Sequence, residues 1–196
     1  SALRTVLRQD PDIILVGEIR DEETAKIAIE AGQTGHLVLT TIHTIDAIEA
    51  ITRMRKMGIS DYDISATVVT SISQRLVRRL CEKCKRPHVF NAEELKYIER
   101  VTKYTGQTFD LQNATVYEPV GCEYCDNIGY YDRIALFEVL CFDEYLKDMI
   151  AENKSSIDIR KYALENTDYK PMVVDGINKV LSGITTIEEV KRKLSI

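Results

Sequence analysis

The stretch Asp10-Pro-Asp-Ile-Ile-Leu-Val-Gly-Glu-Ile-Arg-Asp21 decides the fold. Its centre, Ile13-Ile-Leu-Val16, is a short apolar run rich in β-branched side chains, with Asp10-Pro-Asp12 before it and Gly17 after. Such a run predicts a strand buried on both faces, as in a parallel sheet. Asp21 then stands as a helix N-cap, with Glu22 and Glu23 in the first turn, where the helix dipole favours acids. Ala25, Ala28 and Ile29 continue the helix, and Gly32 suits its stop. His36-Leu-Val-Leu-Thr-Thr-Ile42 reads as a second buried strand. Asp46 caps another helix that carries Ile48, Ile51 and Met54 and ends at Gly58, and a third helix is expected from Tyr62 to Leu80. Strand, helix, strand, helix in this order is an α/β fold with a parallel sheet. Leu3-Arg-Thr-Val-Leu-Arg-Gln9 reads as the middle of a helix, so the chain is expected to be part of a longer protein.

In open α/β sheets, ligands sit at the carboxyl ends of the strands. Those ends carry Gly17-Glu18-Ile19-Arg20-Asp21 and Thr40-Thr41-Ile42-His43-Thr44. An apolar strand running into an acid is the Walker B arrangement. Its carboxylate polarises the water that attacks a γ-phosphate, or holds Mg2+ through water. Many buried strands end in an acid for structural reasons alone. The histidine at the end of the next strand favours a site, because two polar groups then converge on one rim.

Two further turns, Cys81-Glu-Lys-Cys84 and Cys122-Glu-Tyr-Cys125, have the spacing of metal knuckles. Cys81, Cys84, Cys122 and Cys125 together make a tetrahedral set for structural zinc. A closed four-thiolate site leaves no position for substrate, so it is a scaffold. The segment from Cys81 to about Arg133 is too short to build much of a core, which gives such a staple a purpose. His88 lies nearby, but four cysteines suffice without it. The fifth cysteine, Cys141, sits in the apolar run Ala135 to Phe142 and is expected to be a buried free thiol. Between Gln74 and Arg86 stand Arg75, Arg78, Arg79, Lys83, Lys85 and Arg86 against the single acid Glu82. These cations either offset the thiolate charge or bind phosphate or a neighbouring subunit. A helix is expected near Glu93 to Tyr104. Short amphipathic helices follow at Glu144 to Ala151, Ser156 to Glu165, Met172 to Ser182 and Ile187 to Leu194. Thr186 caps the last one, with Glu189 at the capping-box position.

A formal net charge of −5 argues against a general nucleic-acid binder. No stretch approaches the roughly 20 apolar residues of a transmembrane helix. Four free thiolates survive best in a reducing compartment, so the cytoplasm is the expected location.

Taken together, these motifs resemble a known family. Leu7 to Asp21 looks like the Walker B segment of the secretion ATPases, and Thr34-Gly-His-Leu-Val-Leu-Thr-Thr-Ile-His-Thr44 resembles their His box. Gln74 to Cys84, with Gly121-Cys-Glu-Tyr-Cys125 and Gly129-Tyr130, resembles the tetracysteine module of the type II secretion and type IV pilus assembly branch. Retraction ATPases of the same superfamily share the first two motifs and lack the cysteines. The resemblance implies the C-terminal half of a RecA-like P-loop ATPase core over 1–80, a zinc module over 81–133 and a helical region over 134–196. It implies ATP, Mg2+ and Zn2+, a homo-hexamer, an inner-membrane platform protein as partner, and a position at the cytoplasmic face of the inner membrane. Glu18 matches the catalytic Walker B glutamate, His43 the histidine that approaches the γ-phosphate, and His36 a second histidine nearby. Arg20 and Asp21 match family residues as candidate nucleotide contacts or as a loop-shaping pair. One departure stands out: the family usually continues Gly-Tyr-x-Gly-Arg after the second knuckle, and here Asp132 replaces the glycine. Asp tolerates left-handed backbone better than most residues, so the turn is expected to survive. None of the nine glycines begins a Gly-Lys-Ser or Gly-Lys-Thr phosphate loop. The chain is therefore expected to hold half of an ATP site and to be inactive alone. Two other readings remain at this point. One is a zinc-ribbon nucleic-acid module, which lacks any Phe, Tyr or Trp between Val68 and Val89 for stacking. The other is a conjugation-type DNA-transfer ATPase, which usually lacks the cysteines.

Overall fold

A computed structural model describes Gln9 and residues 11–194. The helix expected from Leu3 falls on residues outside this set. The chain divides into two compact units: Ser1–Ile72 with Val139–Tyr169, and Ser73–Glu138 with Lys170–Ile196. These units divide the chain differently from the motif regions 1–80, 81–133 and 134–196.

In the first unit, β1 (Ile13–Val16) pairs in parallel with β2 (Leu37–Thr40), Ile13 opposite Leu37 and Val16 opposite Thr40. The crossover between them is α1 (Glu22–Gln33). Asp21 caps this helix by accepting the Thr24 amide, and the helix buries Ala25, Ile27, Ala28 and Ala31. Gly32 is not the stop: the helix runs on to Gln33, and Gly32 lies where a Cβ would stand 2.5 Å from the Thr67 methyl. Helices α2 (Glu49–Lys56) and α3 (Asp61–Thr67) follow, with α5 (Glu144–Ala151) and α6 (Ser156–Asn166) returning later in the chain. Their core holds Ile48, Ile51, Ile64, Leu140, Leu146, Ile150 and Ile159. Asp46 has two tasks here. One carboxylate oxygen accepts the amides of Ile48 and Glu49 at the start of α2, and the other binds Arg160 at 2.7 Å.

The expectation that β1 and β2 are buried on both faces is not met. Ile14 is buried, but Ile13 is 60% and Leu15 78% exposed, and Leu37 and Leu39 are about half exposed. Successive strand residues point to opposite faces. Helix α1 lies against β2, and no described residue buries the other face of the pair.

The helix expected from Tyr62 to Leu80 is two elements. Helix α3, capped by Ser60, stops at Thr67, and β3 spans Thr70–Leu80. The intervening run is rich in β-branched residues, Thr67, Val68, Val69, Thr70 and Ile72, which lose side-chain freedom in a helix and favour strand. Its partner is β6 (Tyr130–Cys141). Alternation along β6 turns Leu136, Glu138 and Leu140 inward and Phe137, Val139 and Cys141 outward. Cys141 is therefore exposed, contrary to expectation. The apolar run around it belongs to a strand, and parity decides its face.

In the second unit, α4 (Ala92–Thr105) opens with a full capping box between Asn91 and Glu94. It packs with α7 (Met172–Leu181) and α8 (Ile187–Lys193) around Tyr97, Val101, Val173, Ile177, Ile187 and Val190. The short antiparallel pair β4 (Arg86–His88) and β5 (Val116–Glu118) lies beside them. Thr186 caps α8 through the Glu189 amide, as expected. The Glu189 side chain does not complete a capping box. It is fully buried, binding Arg78 Nη2 at 2.5 Å, the Arg78 amide at 3.1 Å and Arg192 at 2.8–2.9 Å. Arg78 in turn lies over the Tyr130 ring at 4.1 Å.

Burial acts to raise the Glu189 carboxyl, but the bonds from Arg192 and Arg78 outweigh it and bring it from 4.5 down to about 2. A depressed carboxyl stabilises the fold fully above its unfolded value and loses that contribution as pH falls through the folded one. A shift of this size corresponds to on the order of 3 kcal/mol. Glu189→Gln is expected to destabilise the second unit by about 3 kcal/mol at pH 7. The difference from wild type should shrink as pH drops from 4.5 to about 2. Denaturant melts at several pH values measure this.

Candidate functional site

Parallel pairing puts the carboxyl ends of β1 and β2 on one rim. Glu18, two residues beyond β1, is half-buried, with its side chain 20% exposed. His43, three beyond β2, brings Nε2 to 2.8 Å from Glu18 Oε1 and is 86% exposed. Arg20 Nη2 reaches Glu18 Oε2 at 2.5 Å. The Arg20 hydrogen bond holds the Glu18 carboxyl below its ordinary value against the effect of burial, and the charges of Arg20 and His43 add to this. Glu18 is thus a carboxylate at neutral pH. Its Oε1 is buried and accepts no aligned hydrogen bond, His43 Nε2 approaching it without the geometry of one.

The other two rim candidates go elsewhere. Asp21 is the α1 cap, its carboxyl lowered by the Thr24 amide. His36 precedes β2 and so lies at the opposite end of that strand from His43. Its Nδ1 is 3.0 Å from the Ala31 carbonyl and 3.1 Å from the Thr34 hydroxyl. The structure brings Glu18, Arg20 and His43 together and leaves His36 apart. Sequence reading passed over Thr41, whose hydroxyl donates to the Gly17 carbonyl at 2.6 Å. The signal available was its place between the strand and His43.

The four cysteines converge in the second unit. Their sulfurs lie within 4.8 Å of one another, with Cys81–Cys122 at 3.9 Å, Cys84–Cys125 at 3.8 Å and Cys122–Cys125 at 3.7 Å. A tetrahedron with Zn–S bonds of about 2.3 Å has edges of about 3.8 Å. Each knuckle is a tight turn. Cys84 and Lys85 donate to the Cys81 carbonyl, and Cys125 and Asn127 donate to that of Cys122. The amides of Gly121, Cys122 and Gly129 point at sulfurs, each at 3.3 Å. Gly129 also accepts from the Cys81 amide, so it ties one knuckle to the other. Its φ is +79, and a Cβ there would stand 2.5 Å from Pro119. Burial pushes the Cys84 thiol up to about 11. Burial acts the same way on Cys125, but the amides of Cys122 and Gly129 and the adjacent thiols bring it down to about 6. His88 stays outside this cluster, at 2.8 Å from Glu94 and 3.4 Å from Glu118.

The basic run is divided among tasks. Arg78 neutralises Glu189, Arg86 pairs with Glu118, and Lys85 binds Glu82 and the Gly183 carbonyl. Lys83 sits over the Tyr124 ring at 3.6 Å.

The type II/IV secretion system protein family matches residues 1–192. The chain is 47% identical over 190 residues to a type IV pilus assembly ATPase PilB of Thermus thermophilus, covering 96% of this chain and 20% of that protein. It is 42% identical over 192 residues to the type II secretion system protein E of Dickeya dadantii, covering 97% of this chain and 36% of that protein. Among solved structures, the ATPase DotB of Legionella pneumophila matches at TM-score 0.63 and 25% identity, over 97% of this chain and 40% of that one. The pilus retraction motor PilT matches at TM-score 0.64 and 23% identity, over all of this chain and 43% of that one. The fold is that of the RecA-like secretion ATPases, carrying a four-cysteine cluster. The chain belongs to the type II/IV secretion system protein family. It spans between a fifth and about a third of the length of the curated relatives it matches.

Asp132, the departure in the second knuckle, adopts φ +70 and accepts the Arg133 amide at 2.7 Å. Asp132→Gly is expected to be neutral or to stabilise slightly, and Asp132→Val to destabilise by about 1–2 kcal/mol. Thermal melts of the two variants check this.

Proposed function

We propose that the chain is the C-terminal part of a hexameric motor that hydrolyses ATP to drive type IV pilus assembly or type II secretion. The observation that carries the reading is the Glu18 carboxylate at the end of β1, facing His43 at the end of β2. A carboxylate held low by Arg20 is a poor proton acceptor and a good hydrogen-bond acceptor. Glu18 therefore orients the attacking water, or a water on Mg2+, more than it deprotonates it. The buried Oε1 without an aligned donor fits that task. His43, exposed and touching the same oxygen, can turn to donate a hydrogen bond to a terminal phosphate. Arg20 pairs with Glu18 and holds one of its oxygens, and Asp21 acts by starting α1 in place. His36 is assigned to fixing the turn before β2, since its partners are Thr34 and Ala31. The phosphate cradle, which needs a glycine loop, a lysine and a helix N-terminus, is assigned to the remainder of the protein. The same remainder is the natural cover for Ile13, Leu15, Leu37 and Leu39, and without it this chain would not turn over ATP.

Cys81, Cys84, Cys122 and Cys125 are assigned to one structural Zn2+, on the match of their spacing to a tetrahedral edge. We assign the motor to the cytoplasmic face of the inner membrane, acting on a platform protein there. No described helix is long and apolar enough to cross a membrane. The cysteines favour this reading over a conjugation ATPase. Against a nucleic-acid module stand the net charge of −5 and the use of Arg78 and Arg86 in ion pairs.

Glu18→Gln in the full-length protein is expected to abolish turnover while leaving ATP binding largely intact, seen as a loss in kcat with little change in nucleotide affinity. Wild-type turnover would reduce Glu18 to a strand-end acid. Elemental analysis of protein purified without added metal is expected to give close to one zinc per chain. Cys84→Ser should lower that ratio and loosen the segment between the knuckles before the α/β unit melts.

A further inference from the structure

We propose that Thr41 is the positioning residue for Glu18, an inference that rests on the reading of Glu18 as the water-orienting acid. The β1–β2 ladder ends at Val16 and Thr40. Beyond it, both chain neighbours of Glu18 are tied to one residue of the other strand. The Thr41 hydroxyl donates to the Gly17 carbonyl at 2.6 Å, and the Ile19 amide donates to the Thr41 carbonyl at 3.0 Å. The peptide groups on either side of the Glu18 Cα are thereby held. Packing does not do this work at Gly17. The residue is exposed, and nothing lies within 4 Å of where its Cβ would stand. The side-chain tie is the part of this clamp that chemistry can remove, because the other bond is main chain to main chain.

The clamp also acts on the second member of the site. His43 is two residues beyond Thr41 on the same segment, and its Nε2 lies 2.8 Å from Glu18 Oε1. Fixing Thr41 to Gly17 therefore fixes the origin of both side chains relative to each other. A polar residue with a short, branched side chain suits the place. Serine keeps the donor, and valine keeps the shape without it.

Thr41 is exposed among the described residues, so losing its hydroxyl removes no contact with this chain's core. That separates a positioning role from a structural one. Misplacing a catalytic group by about 1 Å can cost on the order of 100-fold in rate, whereas surface changes of this kind barely move stability.

The test uses the full-length protein with Thr41→Val, Thr41→Ser and Glu18→Gln measured side by side. Thr41→Val is expected to lower kcat at least about tenfold with KM within about twofold. Its Tm should stay within about 2 °C of wild type. Amide hydrogen exchange at Ile19 should speed up in the valine variant, and Thr41→Ser should restore both exchange and kcat. If valine disturbs folding, Thr41→Ala carries the same readouts. Wild-type kcat in the valine or alanine variant, with Glu18→Gln inactive, overturns the inference and leaves the ATPase reading standing. Equal losses in Thr41→Ser and Thr41→Val, or unchanged Ile19 exchange, overturn it too. Full turnover in Glu18→Gln removes the reading on which it rests.

Discussion

Four residue pairs, Ile13 to Val16 against Leu37 to Thr40, set the geometry of the first unit. Parallel strands cannot be joined by a tight turn, so a crossover is required, and α1 supplies it. The same parallel direction brings both carboxyl ends to one rim, which is why an acid after β1 and a histidine after β2 can meet at all. Strands rise about 3.3 Å per residue, so slipping the register by one would separate Glu18 from His43 by more than a hydrogen bond's length. The slip would also carry Ile14 from the buried face to the exposed one. Burial and site thus enforce one register, and the Thr41 ties extend it past the last ladder pair.

The second unit meets a different problem. Its loops around the knuckles carry little apolar side-chain mass, and two polar arrangements hold what packing cannot. One is the sulfur cluster, whose amide donors already face the sulfurs. The other is Glu189, a fully buried carboxylate that would be prohibitive without Arg78 and Arg192. Arg78 comes from β3 and Glu189 from α8, residues far apart in sequence, so this pairing holds the start of the last helix against the strand. The basic run that suggested a phosphate or subunit site is partly spent on holding the module together.

Much of this was legible in the sequence, for identifiable reasons. Caps announce themselves through short polar side chains, so Asp21 and Thr186 were readable. The knuckles were readable because two-residue spacing between thiols has few other uses, and the left-handed backbone at Asp132 was readable only through the glycine that the resembling family carries there. Where local propensity and tertiary demand diverged, the reading failed. The stretch after Thr67 has helical spacing of apolar residues, but its β-branched content favours strand, and pairing with β6 decides the matter. Cys141 looked buried because its neighbours are apolar, yet in a strand one residue's parity outweighs the company it keeps. Glu189 matched a capping box by spacing, and a distant arginine claimed its side chain instead. His36 and His43 stand at opposite ends of one strand in the sequence reading itself, and only the resemblance set His36 near the site.

The balance at Glu18 bears on how a motor of the proposed kind would sense its nucleotide. Arg20 and His43 both approach the carboxylate, one on each oxygen. His43 is largely exposed and meets Glu18 without an aligned hydrogen bond, so the contact is weak. A weak contact is what a sensor needs. A strongly held imidazole would stay on Glu18 whatever arrived at the rim, and a free one would carry no information. A terminal phosphate brings more negative charge than a single carboxylate, so it can draw the imidazole away without any large rearrangement. Arg20, on the other oxygen, would stay in place and go on favouring the ionised form of Glu18. The acid can then keep one function, holding water, while its neighbour changes partners, and the segment from Ile42 to Thr44, beyond the Thr41 ties, is the short lever that would move with it.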